Sequence, residues 1–91
     1  MAKITKFENL ECWKHARKLS TQVYNITQRN NFKRDISLAR QIQSASVSIM
    51  ANIAEGFSRR SNNEFIQFLF FAISSAAEVQ SHLYIALDQE Y

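Results

Sequence analysis

Residues 52–65 read NIAEGFSRRSNNEF, and this stretch decides how the chain folds. It holds the only glycine of a chain that has no proline. Gly56 follows an apolar run, Arg59 and Arg60 come next, and Ser61 stands three residues ahead of Glu64. Ser-x-x-Glu in front of FIQFLFF is a capping box, whose side chains satisfy the backbone N–H groups that a new helix leaves open. A glycine just past the last apolar turn takes positive φ at little steric cost and so ends a helix. Arg59 and Arg60 then fall where cations meet the negative pole of the helix dipole. The stretch predicts a helix that stops at Gly56, a short link, and a helix that starts at about Ser61. The alternative keeps Gly56 helical, as a point of close helix contact; the turn is the preferred reading. A short link between long helices makes them antiparallel neighbours.

Upstream of the link, Leu38, Ile42, Ala45, Ile49 and Ile53 form one stripe close to a heptad period. Asp35 suits the N-terminal turn of that helix. Small residues crowd it (Ala39, Ser44, Ala45, Ser46, Ser48, Ala51, Ala54) and let neighbouring helices approach closely. Further back, Leu10, Trp13, Ala16, Leu19, Val23 and Ile26 recur at three- and four-residue steps, which is the stripe of another helix. NNFKRD interrupts the pattern, with Asn30 and Asn31 suited to a helix end. Residues 1–7 read as an extended or frayed lead-in.

Downstream of the link, the third helix carries two apolar stripes. Phe65, Phe68, Leu69, Ala72, Ala76, Val79, Leu83 and Ala86 form the first; Ile66, Phe70, Ile73, Ala77 and Tyr84 form the second, about 100° away. One stripe suffices for a surface helix of a small bundle. The second would leave a large exposed apolar patch unless another helix or subunit covers it. The expected fold is all-α: an antiparallel up-down bundle in a single domain, with helices at about 8–29, 35–57 and 61–88. The expected interior includes Leu10, Trp13, Leu19, Val23, Ile42, Ile49, Ile53, Phe65, Leu69, Ala72, Ala76 and Leu83. At 91 residues such a core is small, and assembly is a natural way to bury more surface.

Charge is unevenly placed. All eleven Lys and Arg lie in residues 1–60 against four acids there, a balance of +7, while residues 61–91 carry four acids and no Lys or Arg, a balance of −4. The asymmetry suits either acidic partners for one face or electrostatic matching within the fold or between copies. Three groups of cations are candidates for nucleic-acid contact: Lys14, Arg17 and Lys18 on one face of the first helix; Arg29, Lys33 and Arg34 at the first link; Arg59 and Arg60 at the second. Few aromatics interleave with them, so binding would run through phosphates rather than stacked bases.

No catalytic motif is present: no phosphate loop, zinc spacing or nucleophile elbow. Cys12 and His15 sit three apart, but no third ligand has a natural spacing, so a surface or packing role is the reading. Glu55 and Glu78 are better used as ion pairs, Glu78 level with Arg40 and Glu55 near Arg59 or Glu64. No enzyme activity, metal or cofactor is expected. A lone cysteine, no signal-like apolar segment and no run of ~20 apolar residues point to a reducing cytoplasm and no membrane span.

The segments ECWKHARKLSTQVYNIT, LARQIQSASVSIMANIAEGFSRRSNNEFIQFLFFAISSAAEVQ and LYIALD together resemble the four-helix bundle proteins encoded in intervening sequences of bacterial 23S ribosomal RNA. The accessory proteins of diversity-generating retroelements share that fold. Ser48, Ile49, Asn52, Ile53, Ala54, Glu55, Gly56, Arg59 and Ser61 carry the most specific part of the match. The resemblance implies an up-down bundle that assembles into a homo-oligomeric ring, typically a pentamer, with a basic surface and no enzyme activity. It also implies a reverse transcriptase, RNA or DNA as partners of the retroelement members. Gln43 and Ser44 stand where many relatives have consecutive basic residues, and Tyr91 lies where a fourth helix would begin. The second stripe of the third helix is what a fourth helix or a neighbouring subunit would cover; Ile66, Phe70, Ile73 and Tyr84 are the candidate contacts. Two functions follow from these readings: a basic adaptor for nucleic acid or a nucleic-acid enzyme, or a protein-interaction scaffold whose cations only solvate its surface.

Overall fold

The computed structural model describes residues 3–91, and it is helical throughout, with no strand among the described residues. The helices are α1 (Glu11–Thr27), α2 (Ile36–Phe57) and α3 (Asn62–Asp88). They run up, down and up along the long axis of a slab measuring 47 × 21 × 17 Å. A 27-residue helix is about 40 Å long, so α3 alone spans most of that length. Both α1 and α3 pack on α2, and they make little contact with each other. The core therefore forms two seams on the central helix. Ile42 is fully buried, and Leu38, Ala45, Ile49 and Ile53 are buried with it.

Each boundary has a local cause. Of the expected lead-in, residues 1–2 lie outside the described residues. A 3-10 turn at Phe7–Asn9 precedes α1, which begins at Glu11 after an extended Leu10. The Phe7 ring meets Trp13 edge-on at 5.2 Å, folding the lead-in back over the first helical turn. Past the end of α1, Asn30 takes the left-handed φ of 36° that asparagine tolerates. A second 3-10 turn, Phe32–Arg34, leads to α2, where the Asp35 side chain accepts the N–H of Leu38 at 3.1 Å. Phe32, inside the link, is buried and plugs that end of the slab.

The second link corrects the reading of Gly56. Gly56 lies inside α2, which continues to Phe57, and no glycine takes positive φ. A Cβ on Gly56 would stand 2.5 Å from Phe68 Cβ and 3.1 Å from Phe65 Cδ1. The glycine is thus the point where α2 and α3 approach too closely for a side chain. The chain turns instead through residues 58–61, and Ser58 closes the helix by donating its hydroxyl to the Ala54 carbonyl at 3.0 Å. Ser61 caps α3 by accepting the N–H of Glu64 at 3.2 Å. Its hydroxyl donates to the Glu64 carboxylate at 3.1 Å, so Glu64 holds the cap through the serine side chain.

Polar pairs cross both seams. Gln43 Nε2 donates to Thr27 Oγ1 at 2.9 Å, and that buried hydroxyl in turn donates to the Val23 carbonyl. Ser75 and Ser48 share a hydrogen bond at 3.0 Å between α3 and α2. Such partly buried partners lose hydrogen bonds if the helices slip, so they favour one register. Gln43 is thereby occupied in the α1–α2 seam.

Leu83 is the exception among the expected interior residues. It is 36% exposed, because α1 and α3 diverge beside it rather than closing over it. Leu10, Trp13, Leu19, Phe65, Leu69 and Ala76 are half-buried at the seam margins.

Candidate functional site

The eight candidate cations fall into three separate groups. Lys14, Arg17 and Lys18 share the solvent side of α1 with Thr21 and Gln22. They surround a shallow depression of about 680 Å³ that Trp13 and Glu8 also line. The Arg17 guanidinium lies 5.7 Å from the centre of the Trp13 ring, a cation–π contact that restrains the side chain. Lys14 pairs with Glu11 at 3.3 Å on the exposed face. Lys18 makes no ion pair among the described residues. Arg29, Lys33 and Arg34 sit exposed at the α1–α2 link, and Arg59 and Arg60 at the α2–α3 link. Antiparallel order puts these two links at opposite ends of the slab.

Arg59 is the most committed of the eight. It pairs with Glu55 at 2.9 Å, and its guanidinium stacks 4.8 Å from the Phe68 ring. That engagement ties the end of α2 to α3. Glu78 lies 3.8 Å from His82 on its own helix, and no Arg40–Glu78 pair forms among the described residues. Glu11 beside Lys14, Trp13 beside Arg17 and Glu55 beside Arg59 sit three or four residues away, the spacing at which helical side chains meet. That spacing was a signal available in the sequence.

At the Arg29 end, Tyr91 closes over the first link. Its hydroxyl donates to Asp35 Oδ2 at 3.0 Å, and its ring lies 5.1 Å from that of Phe32. The hydrogen bond to Asp35 holds the phenol above its ordinary pKa of 10.0, with desolvation and the Asp35 charge acting in the same direction.

The second surface is apolar and belongs to α3. Ile66 is 50% exposed, Phe70 and Ile73 63%, Tyr84 68% and Leu87 70%. Beside this stripe a groove of about 550 Å³ opens between α1 and α3 over α2. Leu19, Ile49, Leu69, Ile73 and Ala76 line it, with Cys12 and His15 on the α1 wall. Among the described residues no three of His, Cys, Asp or Glu gather into a metal-sized group, and no helix is long and apolar enough to cross a membrane. The arrangement offers two kinds of chemistry: exposed cations suited to anionic ligands, and an apolar helix face suited to another helix.

Residues 8–91 match the family model described as 23S rRNA-intervening sequence protein, and the chain belongs to that family. No curated protein and no solved structure matches it.

Proposed function

We propose that this member of the 23S rRNA-intervening sequence family works by assembly and binding rather than catalysis. It is a homo-oligomeric helical bundle that presents a basic surface to the phosphates of RNA or DNA. The observation that carries this reading is the outer face of α1, where Lys14, Arg17 and Lys18 point away from the seam with α2 and Trp13 restrains Arg17. Cations on a face that packs against no other α-helix among the described residues are available to a polyanion. Nothing on that face is shaped to read base edges, so binding is sequence-tolerant and driven by counterion release. Self-assembly is supported by the exposed α3 stripe, and it multiplies the basic surface by the number of copies. The resemblance adds a ring of five as the form of assembly, and a reverse transcriptase as a protein through which nucleic acid is reached.

Retention of labelled RNA and DNA, measured across a salt series, tests direct binding. Affinity falls steeply with salt in the wild type. Replacing Lys14, Arg17 and Lys18 together by glutamine flattens the log–log slope by about 2–3, since each phosphate contact contributes roughly 0.7–0.9. The fold survives, because all three side chains are exposed. No retention at low salt overturns direct binding.

A second reading is favoured by a specific observation: Lys14 and Arg59 already have carboxylate partners. In that reading the protein is an interaction scaffold, and its cations serve its own surface. Retention that does not respond to the triple substitution supports it.

A further inference from the structure

We infer that the outer face of α1 holds one unpaired base of a single strand, stacked in the depression between Trp13 and Arg17. This rests on the nucleic-acid reading proposed above and adds a base to its phosphates. Trp13 is the only tryptophan of the chain, and it is half-buried rather than sealed in the interior. It packs against the core, and the Phe7 ring braces it edge-on at 5.2 Å. It also lines the depression of about 680 Å³, together with Lys14, Arg17 and Lys18. A braced indole in a basic hollow is what single strands meet in proteins that hold them without sequence preference: cations track the phosphates and an aromatic takes a base. The expectation that binding runs through phosphates alone is thereby amended. The aromatic that the cation spacing lacks comes from the margin of the α1–α2 seam.

Arg17 is the movable side of the site. Its guanidinium stands 5.7 Å from the centre of the indole, farther than the ~3.5–4.0 Å of carbon atoms in contact, so the pair is restrained without being closed. A flat base entering the depression takes the indole face, and the guanidinium closes on it from outside. No carboxylate holds Arg17 back among the described residues. Arg59 also lies over a ring, but it is bonded to Glu55 at 2.9 Å and lacks that freedom. Lys14 and Lys18 line the same depression, about 6 Å apart along the helix axis, and reach the phosphates on either side of the base. Two carboxylates oppose them: Glu8 on the wall of the depression, and Glu11, paired with Lys14 at 3.3 Å. Three cations against two acids leave a local balance of +1. Charge alone gives a strand a weak hold there, so a stacked base adds materially to the affinity. Every base has a flat face to offer, so the contact stays sequence-tolerant. A duplex keeps its bases stacked on one another and presents this face with phosphates alone.

Trp13 reports the contact itself, because no other tryptophan contributes to the emission. Its fluorescence in the full chain is titrated at low salt with a single-stranded DNA oligonucleotide of mixed sequence, an abasic strand of equal length, and a duplex. The abasic strand carries the same phosphates and no bases. The expected result is quenching by the single strand and none by the abasic strand or the duplex at saturation. Retention of the single strand is about ten-fold stronger than that of the abasic strand, the gain of one stacked base. Trp13→Leu removes that preference and Trp13→Tyr keeps it, with helix content checked by circular dichroism. Where Trp13→Leu loses helix, the wild-type titration decides alone. Equal retention of the single strand and the abasic strand overturns the inference and leaves phosphate binding standing. Quenching by the abasic strand or the duplex to the same depth also overturns it. No retention of any of the three ligands at low salt overturns both.

Discussion

Gly56→Ala puts a methyl group where the α2 and α3 backbones leave no room. The new Cβ meets Phe68 Cβ at 2.5 Å, and carbon atoms rest at about 3.5–4.0 Å. Both atoms are bonded directly to backbone, so no rotamer change relieves the overlap. The helices must separate by more than about 1 Å at this end, which loosens Phe65 and Phe68 and the Arg59 contact that bridges them. Overpacking of this kind costs about 1–3 kcal/mol, and a shift of helix axes belongs at the upper end. Against it stands the helix preference of alanine over glycine, about 0.8–1.0 kcal/mol. The net expectation is a loss of about 1–2 kcal/mol, which in a domain of this size lowers Tm by roughly 5–15 °C. Thermal unfolding followed by circular dichroism measures it, with Ser44→Ala, on the exposed side of α2, as the control for propensity. A rise in Tm at Gly56→Ala, by the full propensity gain, would refute the close-contact reasoning: the site would then have space, and the glycine would be an ordinary weak point in a helix.

The two seams also predict a contrast between Ile42 and Leu83. Ile42→Ala costs about 2–5 kcal/mol in urea unfolding because its side chain is fully buried, whereas Leu83→Ala costs well under half of that. Asp35→Ala removes the cap of α2 and costs about 1 kcal/mol. The same substitution returns the Tyr91 phenol toward its ordinary pKa, read as tyrosinate absorbance against a Tyr91→Phe control. Because the folded pKa of Tyr91 is raised, its contribution is present in full below pH 10.0 and is lost as pH rises through the folded pKa; the Asp35→Ala variant lacks that alkaline loss.

What was legible in the sequence was whatever depends on neighbours along the chain. Asp35 and Ser61 cap helices because the groups they bond lie three residues on. The α2 stripe is buried residue for residue because three- and four-residue periodicity survives any arrangement of the partners. Gly56 was misread because a glycine near a helix end supports two structures with opposite backbone needs. The deciding signal was register: Gly56 stands seven after Ile49 and three after Ile53, so it continues the buried face and does not end it. Leu83 was misplaced, and the burial of Phe32 went unread, for a different reason. Their burial depends on which helices meet, and the separation of α1 from α3 is a tertiary fact that no single stripe contains. The candidate cations were legible as exposed clusters. The engagement of Arg59 by Phe68 across the link was not, because it needs the same close approach that Gly56 permits.

The basic face and the exposed apolar stripe lie on different helices, and this links binding to assembly. The cations of α1 point outward from the α1–α2 seam, while Ile66, Phe70, Ile73 and Tyr84 belong to α3. Assembly through α3 therefore leaves Lys14, Arg17 and Lys18 uncovered on each copy. An oligomer then offers several basic faces to one polyanion, and each further face engages at the effective concentration set by the first. Phe70→Glu with Ile73→Glu removes no cation, yet it should weaken retention of a long RNA or DNA more than that of an oligonucleotide too short to reach more than one face. Its salt slope on the long ligand should fall well below the wild-type value, since the phosphate contacts made by the other copies are lost. Two added carboxylates per chain repel any polyanion, so Ser74→Glu with Ser81→Glu, beside the stripe rather than in it, supplies the charge control. Equal losses in the two variants, on long and short ligands alike, would show that each chain binds alone, and assembly would then need a different reason to exist.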